Sequence, residues 1–201
     1  MQYEFKVLNR TVAYEGFFKL EVYQVQHELF AGGESPVVVR ECLERGHAVA
    51  VLPYDPVRDQ VARIEQFRIG AMNSPVGPWL LEIVAGMIKL GESPLQVAHR
   101  EVVEEIGQAV QDVVPICQYL LSPGGASETI TLFCGRVDAS QISELHGLAE
   151  EHEDIRAHVM TRSAALELLH SGRIASATPI IALQWLELNH RKLMGLWGTN
   201  G

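Results

Sequence analysis

The chain has 201 residues, 47% of them hydrophobic and 20% charged, and its formal net charge is −9. This composition is typical of a globular protein with one main domain and a smaller accessory segment. The negative charge argues against nucleic acid and anionic membranes as partners. No apolar run approaches the roughly 20 residues that cross a bilayer, and Met1 to Arg10 lack a secretory pattern. Three separated cysteines fit reduced thiols, so we expect a cytoplasmic protein.

The N-terminal part of the chain is predicted to be a small β subdomain. From Tyr3 to Phe30 polar and apolar residues alternate, which is the period of half-buried strands. A further short strand is predicted at Val37 to Val39. The pattern then breaks near Arg45. We therefore expect residues 1–45 to form this subdomain and residues 46–201 to form the main domain.

The main domain is predicted to combine strands and helices. Its first two strands, Ala48 to Leu52 and Gln60 to Phe67, form a predicted hairpin. Further strands are predicted at Trp79 to Val84, Pro115 to Leu121, Thr129 to Arg136 and Ile155 to Met160. Two C-terminal helices are predicted, from about Ser163 to His170 and from the cap pair Thr178-Pro179 toward Lys192. Mixed strands with covering helices predict an α+β sandwich.

The most clearly marked helix is predicted from Pro94 to Ile106. Ser93 is its N-cap, Pro94 is its first residue, and Gln96 completes an S-x-x-Q capping box. Gly107 follows the last turn, where glycine commonly ends a helix.

Three glutamates share one face of this helix, because Glu101, Glu104 and Glu105 stand at i, i+3 and i+4. Like charges at this spacing repel, and the dipole of the last turn favours cations. A bound divalent cation would remove both penalties, since carboxylate oxygens suit Mg²⁺, Mn²⁺ and Ca²⁺. A solvated acidic face is the alternative, and for a glutamate triplet without further context it is the commoner case.

The surrounding sequence decides between these alternatives. Gly86, Glu92 and the segment Arg100 to Gly107 match every fixed position of G-x5-E-x7-R-E-U-x-E-E-x-G, where U is a bulky aliphatic residue. The pattern ends with one further U, and there Gln108 departs from it. This stretch resembles the Nudix box. The resemblance implies an α/β/α sandwich with a mixed sheet, plus a small N-terminal antiparallel β subdomain, and a structural ion pair between Glu92 and Arg100.

The resemblance also implies a metal site and a reaction. In the family pattern Glu101, Glu104 and Glu105 bind divalent cations, and the backbone carbonyl of Ala85 is a further ligand. The implied metal is Mg²⁺, with Mn²⁺ as the alternative. Such metals bridge pyrophosphate oxygens and activate water, so the implied reaction is hydrolysis of a phosphoanhydride, with Glu104 and Glu105 among the catalytic residues.

Nearly the whole chain resembles the ADP-ribose pyrophosphatase branch of this family. That branch carries a proline sixteen residues after the last glycine of the box, and Pro123 lies sixteen residues after Gly107. Without the box, an ordinary Pro-Gly turn would be the alternative. The resemblance implies Mg²⁺-dependent hydrolysis of ADP-ribose to AMP and ribose 5-phosphate.

The acidic stretch from His146 to Arg156 resembles the mobile catalytic loop of the branch. Alignment on the last three residues of this stretch implies that Glu151 is the general base and that Glu153 is a metal-linked carboxylate. A one-residue slip would assign the base to Glu150 instead. A solvated acidic loop is the alternative for the stretch taken alone.

The branch also implies substrate contacts in several parts of the chain. The implied residues are Phe17, Arg40, Arg68, Ser122, Gly124, Gly125 and Ser127. Phe17 would stack on adenine, and Arg40 and Arg68 would contact phosphate or ribose. For Phe17 and Arg40, strand packing and a surface salt bridge are the alternatives. Because the branch exchanges its N-terminal segment between protomers, we expect a homodimer that completes its active sites across the interface.

Two other functions stay open at this point. One is a Nudix hydrolase that acts on other nucleotide sugars or dinucleotides, which Pro123 weakly disfavours. The other is a non-catalytic module that binds ADP-ribose as a sensor, which the intact box glutamates disfavour.

Overall fold

The structure is a computed structural model that describes residues 3–148, 150 and 152–198. The chain divides into two compact units: Met1–His47 with Tyr119–Thr129, and Ala48–Gln118 with Ile130–Gly201. We call these the first and the second unit. The chain thus leaves the first unit after His47 and returns to it once, with Tyr119–Thr129. The expected division at Arg45 does not include this return.

The first unit contains an antiparallel sheet of three strands in the order β1-β2-β3. Their bounds are Phe5–Glu15 for β1, Lys19–His27 for β2 and Val38–Glu44 for β3. Every residue of β1 is exposed, so the alternation expected for a half-buried strand does not appear as burial there. Among the described strands β1 pairs with β2 alone, so it lies at an edge of the sheet, and both of its faces are uncovered.

The second unit is built on a mixed sheet. Its strands are β4 Ala48–Asp55, β5 Gln60–Phe67, β6 Trp79–Glu82, β7 Val84–Met87, β8 Asp112–Leu120, β9 Thr129–Arg136, β10 Leu145–His146 and β11 Ile155–Thr161. The order is β10-β11-β5-β4-β9-β8, with β6 paired to β5 and β7 to β4. The β4–β9 pair is parallel, whereas β4 pairs antiparallel with β5 and with β7.

Helices cover this sheet, and their bounds are α1 Pro94–Ile106, α2 Arg162–His170 and α3 Ala177–Trp197. The buried face of α1 packs on one side of the sheet in a core of Val49, Val51, Ile64, Val84, Val97, Ala98, Val102 and Ile106. Helix α2 contacts β5 and β11, and α3 contacts β4 and β6. The predicted α+β fold, an α/β/α sandwich with a mixed sheet and a small antiparallel sheet, is confirmed.

Some predicted elements differ from the structure. The strand expected from Trp79 to Val84 is two strands that separate at Ile83, because β6 pairs with β5 whereas β7 pairs with β4. Helix α3 begins after Ser176 and continues to Trp197, past the expected end near Lys192, since Leu193 and Trp197 are buried. Among residues 3–148, 150 and 152–198, no helix combines the length and apolarity needed to cross a membrane.

Candidate active site

Helix α1, which carries the three carboxylates, has a well-defined cap at each end. The Ser93 side chain accepts a hydrogen bond from the Gln96 backbone, and the Gln96 side chain accepts one from the Ser93 backbone, so the predicted capping box is present. Gly107 ends the helix at φ 67°, a left-handed conformation that favours glycine. The two caps fix the helix register, and with it the directions of the glutamates.

Two of the three glutamates on α1 are buried beside β7. Glu101 is 9% exposed and Glu105 is 2% exposed. A Glu105 oxygen, Oε2, accepts a hydrogen bond from the Ala85 backbone at 3.1 Å. A Cβ added to Gly86 would lie 1.6 Å from Oε1 of Glu101, so only glycine leaves room for that carboxylate. Gly86, the first residue of the box, must therefore be glycine because the carboxylate of Glu101, fifteen residues later, occupies the space of a side chain.

The burial of these carboxylates changes their proton affinity. Burial raises the pKa of Glu105 well above its usual range, and the negative charges of Glu101 and Glu153 add to the rise. Burial also raises the pKa of Glu101, although the Arg100 guanidinium opposes the rise. Buried carboxylates with too little positive charge around them are stabilised by a bound cation. Oxygen donors of this kind suit a divalent ion such as Mg²⁺, so the donor set fits the metal that the sequence implies.

Arg100 connects the box loop to the helix. Its Nε and Nη2 donate to the two oxygens of Glu92 at 2.9 and 3.0 Å, and Nη2 also donates to the Met87 carbonyl at 3.2 Å. Its Nη1 donates to Glu101 at 2.6 Å and to Glu104 at 3.0 Å. The hydrogen bonds from Arg100 lower the pKa of Glu92. The guanidinium therefore holds the loop and orients two carboxylates.

The glutamates do not form a complete coordination sphere among the residues described. Within residues 3–148, 150 and 152–198, no group of three or more His, Cys, Asp and Glu side chains is arranged to hold a metal ion. Arg100 contacts both Glu101 and Glu104, whereas the negative charge of Glu101 raises the pKa of Glu105. The assignment of Ala85, Glu101, Glu104, Glu105 and Glu153 as metal ligands remains a prediction.

The acidic stretch between β10 and β11 contributes Glu153. Its backbone N–H donates to the Leu148 carbonyl at 3.2 Å, and its carboxylate accepts from the Leu148 N–H at 3.4 Å. Its charge acts on both Glu101 and Glu105. Glu153 therefore adds to the negative charge that acts on these two carboxylates of α1. Glu151, the expected general base, lies outside the described residues, and its alternative Glu150 is exposed.

Arg68, at the end of β5, is oriented by a residue that the sequence analysis missed. Its Nε donates to Glu82 on β6 at 2.7 Å. Burial dominates the raised pKa of Glu105, and the positive charge of Arg68 opposes the rise. The signal that identifies Glu82 is the pairing of β5 with β6, which single-sequence periodicity does not reveal.

The other expected substrate contacts belong to the first unit. Phe17 is 90% exposed and makes an edge contact with Phe18. Arg40 is exposed and donates to the carbonyl of the preceding residue at 2.8 Å. The Ser122 carbonyl accepts from the N–H groups of Gly125 and Ala126, which makes a tight turn.

The same turn is held against the end of β3. The Ser127 hydroxyl donates to Glu44 at 2.7 Å, and the Gly125 carbonyl accepts from the Leu43 N–H at 2.8 Å. Gly124 is exposed, and no atom of the residues that the structure describes lies within 4 Å of the position of an added Cβ. Phe17 and Arg40 and this turn therefore lie in the first unit, whereas Arg68 and the carboxylates of α1 lie in the second.

A capped carboxylate helix on an α/β/α sandwich, with Gly86 making room for Glu101, defines the class of protein. The NUDIX domain model matches residues 44–180, and the chain belongs to this family. The matched range includes β4 to β11 and the whole of α1 and α2.

Particular relatives are more informative than the family. The chain is 49% identical over 192 residues to the ADP-ribose pyrophosphatase of Escherichia coli strain K12, a match that covers 96% of this chain and 92% of the relative. It is 46% identical over 199 residues to the ADP-ribose pyrophosphatase of Haemophilus influenzae, covering 98% and 92%. The GDP-mannose pyrophosphatase of Escherichia coli O1:K1 / APEC is 30% identical over 152 residues, covering 75% and 78%. A crystal structure of an ADP compounds hydrolase has the same fold, with a TM-score of 0.71, 21% identity, and coverage of 98% of this chain and 97% of that one.

Proposed function

We propose that this protein hydrolyses the pyrophosphate bond of ADP-ribose, releasing AMP and ribose 5-phosphate, with Mg²⁺ as its cofactor. The observation that carries the proposal is the pair of buried carboxylates, Glu101 and Glu105, on the box helix. The choice of ADP-ribose over GDP-mannose rests on identity, which is 49% over nearly the whole chain for the first kind of relative and 30% over three quarters of it for the second.

The metal would be held by carboxylate oxygens of α1. Glu101 and Glu105 are the proposed ligands inside the core, together with the Ala85 carbonyl, Glu104 and Glu153. When bound, a divalent cation supplies charge neutralisation on pyrophosphate oxygens and a lowered pKa for an attacking water. Mn²⁺ is the proposed alternative, because it accepts the same oxygen donors.

The side chains of the second unit have separate proposed roles. Arg68 would pair with a substrate phosphate or ribose oxygen, and its contact with Glu82 holds the guanidinium in one direction. Glu151 would accept the proton of the attacking water, with Glu150 as the alternative. Arg100 would keep Glu104 oriented through its hydrogen bond at 3.0 Å.

We also propose that the protein acts as a homodimer in which the first unit of each protomer completes the active site of the other. Support comes from β1, whose side chains are exposed along its length, including Phe5, Val12 and Tyr14. An edge strand with exposed apolar residues favours pairing with another chain. In this arrangement Phe17 would stack on adenine, and Arg40, Ser122, Gly124, Gly125 and Ser127 would contact the rest of the nucleotide. The proposed location is the cytoplasm, in keeping with free Cys42, Cys117 and Cys134.

Product analysis tests the reaction directly. The purified protein is incubated with ADP-ribose and Mg²⁺, beside an EDTA control, the variant Glu105→Gln and a panel that includes GDP-mannose. Release of AMP and ribose 5-phosphate by the wild type, and only when the metal is present, supports the proposal. Turnover of GDP-mannose in preference to ADP-ribose would contradict the substrate assignment. Binding of ADP-ribose without turnover would favour the sensor function.

A further inference from the structure

The end of α1 and the start of the acidic loop are in direct contact. Gly107, which ends α1, faces His146 of β10, and a Cβ added to this glycine would lie 2.8 Å from Cε1 of the imidazole. The ring therefore packs on the backbone of the helix terminus. Its Nε2 is 2.8 Å from the Ser143 carbonyl and 3.1 Å from the Ser143 hydroxyl, so Ser143 also holds the ring.

The residue after His146 makes a second close approach. Gly147 has φ 105°, and a Cβ there would lie 2.8 Å from the Glu153 carbonyl oxygen and 3.0 Å from the Glu153 Cβ. Leu148 and Glu153 then exchange the backbone and side-chain hydrogen bonds described above. We call Gly147, Leu148 and Glu153 the loop base. Only glycine at position 147 allows the backbone to approach Glu153 this closely.

These two contacts join the helix that carries Glu101 and Glu105 to the loop that carries Glu153. Pairing of His146 with Ile155 in β11 fixes the direction in which the chain leaves the sheet. We infer that His146 and Gly147 are positioning residues that set the distance between Glu153 and the carboxylates of α1. Neither residue touches the reacting atoms; His146 acts through the terminus of α1, and Gly147 acts through the backbone of Glu153.

The inference rests on the proposed function, because the positioned carboxylates matter only if this site performs hydrolysis. A misplacement of about 1 Å at a reacting group can lower a rate by about 100-fold. The His146 ring is not one of the proposed substrate contacts, which include Arg68, Phe17 and Arg40. The expected effect of losing the positioning contact is therefore a fall in kcat with little change in KM.

The experiment compares four variants by steady-state kinetics with ADP-ribose and Mg²⁺, and by amide hydrogen exchange of the peptide that contains the loop base. His146→Ala removes the ring, whereas His146→Gln keeps a group that can donate to the Ser143 carbonyl. Gly147→Ala adds the clash with Glu153. Gly172→Ala is its control, because Gly172 has φ 76° and no atom of the described residues lies within 4 Å of an added Cβ, so this variant adds only backbone strain.

We expect kcat to fall by about 10- to 100-fold in His146→Ala and Gly147→Ala, with KM changed by less than about threefold. His146→Gln is expected to recover part of the loss. Amide hydrogen exchange at the loop base should become faster, while exchange in α1 stays unchanged. This difference would show that the loop base opens locally and that the protein does not unfold as a whole. Gly172→Ala should keep the wild-type kcat and exchange.

Unchanged kcat and unchanged exchange in His146→Ala and Gly147→Ala would overturn the inference. An equal loss of kcat in Gly172→Ala would also overturn it, since general destabilisation would then explain the effect. A wild-type protein that does not hydrolyse ADP-ribose would contradict the proposed function instead. In that case hydrogen exchange alone still decides whether His146 and Gly147 hold the loop base.

Discussion

Arg100 and Glu92 are joined by two nearly parallel hydrogen bonds, with Nε to Oε1 at 2.9 Å and Nη2 to Oε2 at 3.0 Å. This fork geometry is the strongest arrangement of an arginine and a carboxylate. It fastens the loop before α1 to the helix itself. We expect Glu92→Gln to lower the melting temperature, because one partner of the ion pair loses its charge.

The same variant should lower kcat by less than about tenfold, because Arg100 keeps its contacts to Met87 and Glu104. Thermal denaturation and steady-state kinetics on one preparation make the measurement. A large loss of kcat at an unchanged melting temperature would mean that Glu92 takes part in the reaction and is not only structural.

Glu105 offers a test in which stability and activity change in opposite directions. Its carboxylate is almost fully buried and, within the described part of the chain, accepts one hydrogen bond, from the Ala85 N–H. Replacing it with the neutral amide in Glu105→Gln removes a buried charge, so the metal-free variant should melt above the wild type. Its kcat for ADP-ribose should fall by about 100-fold or more.

The stabilisation that Mg²⁺ gives to the wild type should also shrink in Glu105→Gln. Glu167→Gln, on an exposed face of α2, is the matched control and should leave all three quantities unchanged. If Glu105→Gln keeps both full activity and its Mg²⁺-dependent melting shift, Glu105 is not a metal ligand.

How far the sequence predicts this site depends on the range of the interactions. Helix α1 was predicted to the residue, since Ser93, Gln96 and Gly107 act within one turn of its ends. The reason for Gly86 could not be predicted, because the clash with Glu101 arises only when β7 and α1 pack together. Gly86 is a fixed position of the sequence pattern, and the packing of β7 against α1 explains why that position needs glycine.

Longer-range features were missed for the same reason. The separation of β6 from β7 at Ile83 depends on which neighbour each strand pairs with, and their local sequence is equally strand-like on both sides. The return of Tyr119–Thr129 to the first unit and the two-residue strand β10 depend on contacts with distant parts of the chain. Consequently the contacts of Glu82, His146 and Gly147 could not be predicted from the sequence alone, although the acidic stretch that begins at His146 was recognised.

Phe17 tests the proposed recognition of adenine. Its ring is almost fully exposed and contacts Phe18 edge-on, which leaves a face free for stacking. We expect Phe17→Ala to raise KM for ADP-ribose by about tenfold with little change in kcat, since base stacking is worth about 1–3 kcal/mol. Phe17→Tyr should retain the wild-type KM.

Phe30→Ala is the matched control for this prediction, because Phe30 is equally exposed and has an edge contact of its own with Tyr3. It should leave KM unchanged. The same rise in KM for both variants would indicate a general disturbance of the first unit and would remove the adenine assignment.

The exposed β1 strand predicts the oligomeric state. Val7→Glu with Val12→Glu places two charges on apolar positions of β1 without removing any hydrogen bond of the sheet. If β1 is buried in a homodimer, these charges must be desolvated on assembly, and the variant should elute as a monomer with little activity. Light scattering coupled to gel filtration makes the measurement.

Leu188→Glu on α3 controls for the added charge, since this leucine is 85% exposed in the second unit. It should remain dimeric and active. A wild-type protein that is a monomer at micromolar concentration, and is fully active there, would contradict the proposed completion of the site by a partner.

Asp59 predicts how stability depends on pH at a place remote from the carboxylates of α1. Burial would raise the pKa of this carboxyl, but hydrogen bonds from Arg162 and Tyr54 outweigh burial and lower it below its usual value. Arg162 donates to both oxygens, at 3.0 and 3.2 Å, and Tyr54 donates to one of them at 2.9 Å. Because the pKa is lower in the folded protein, the stabilisation is complete above the unfolded value of about 3.9 and is lost as the pH falls through the folded value.

We therefore expect Asp59→Asn to lower the urea midpoint at neutral pH and to make stability depend less on pH below about 4. The loss should stay below about 1 kcal/mol, because the Asp59 side chain is 43% exposed and solvent screens the ion pair. Urea titrations at several pH values make the measurement, and the two proteins should converge in the acid range. A difference that persists unchanged below the folded pKa would mean that the packing of Asp59, and not its charge, stabilises the turn between β4 and β5.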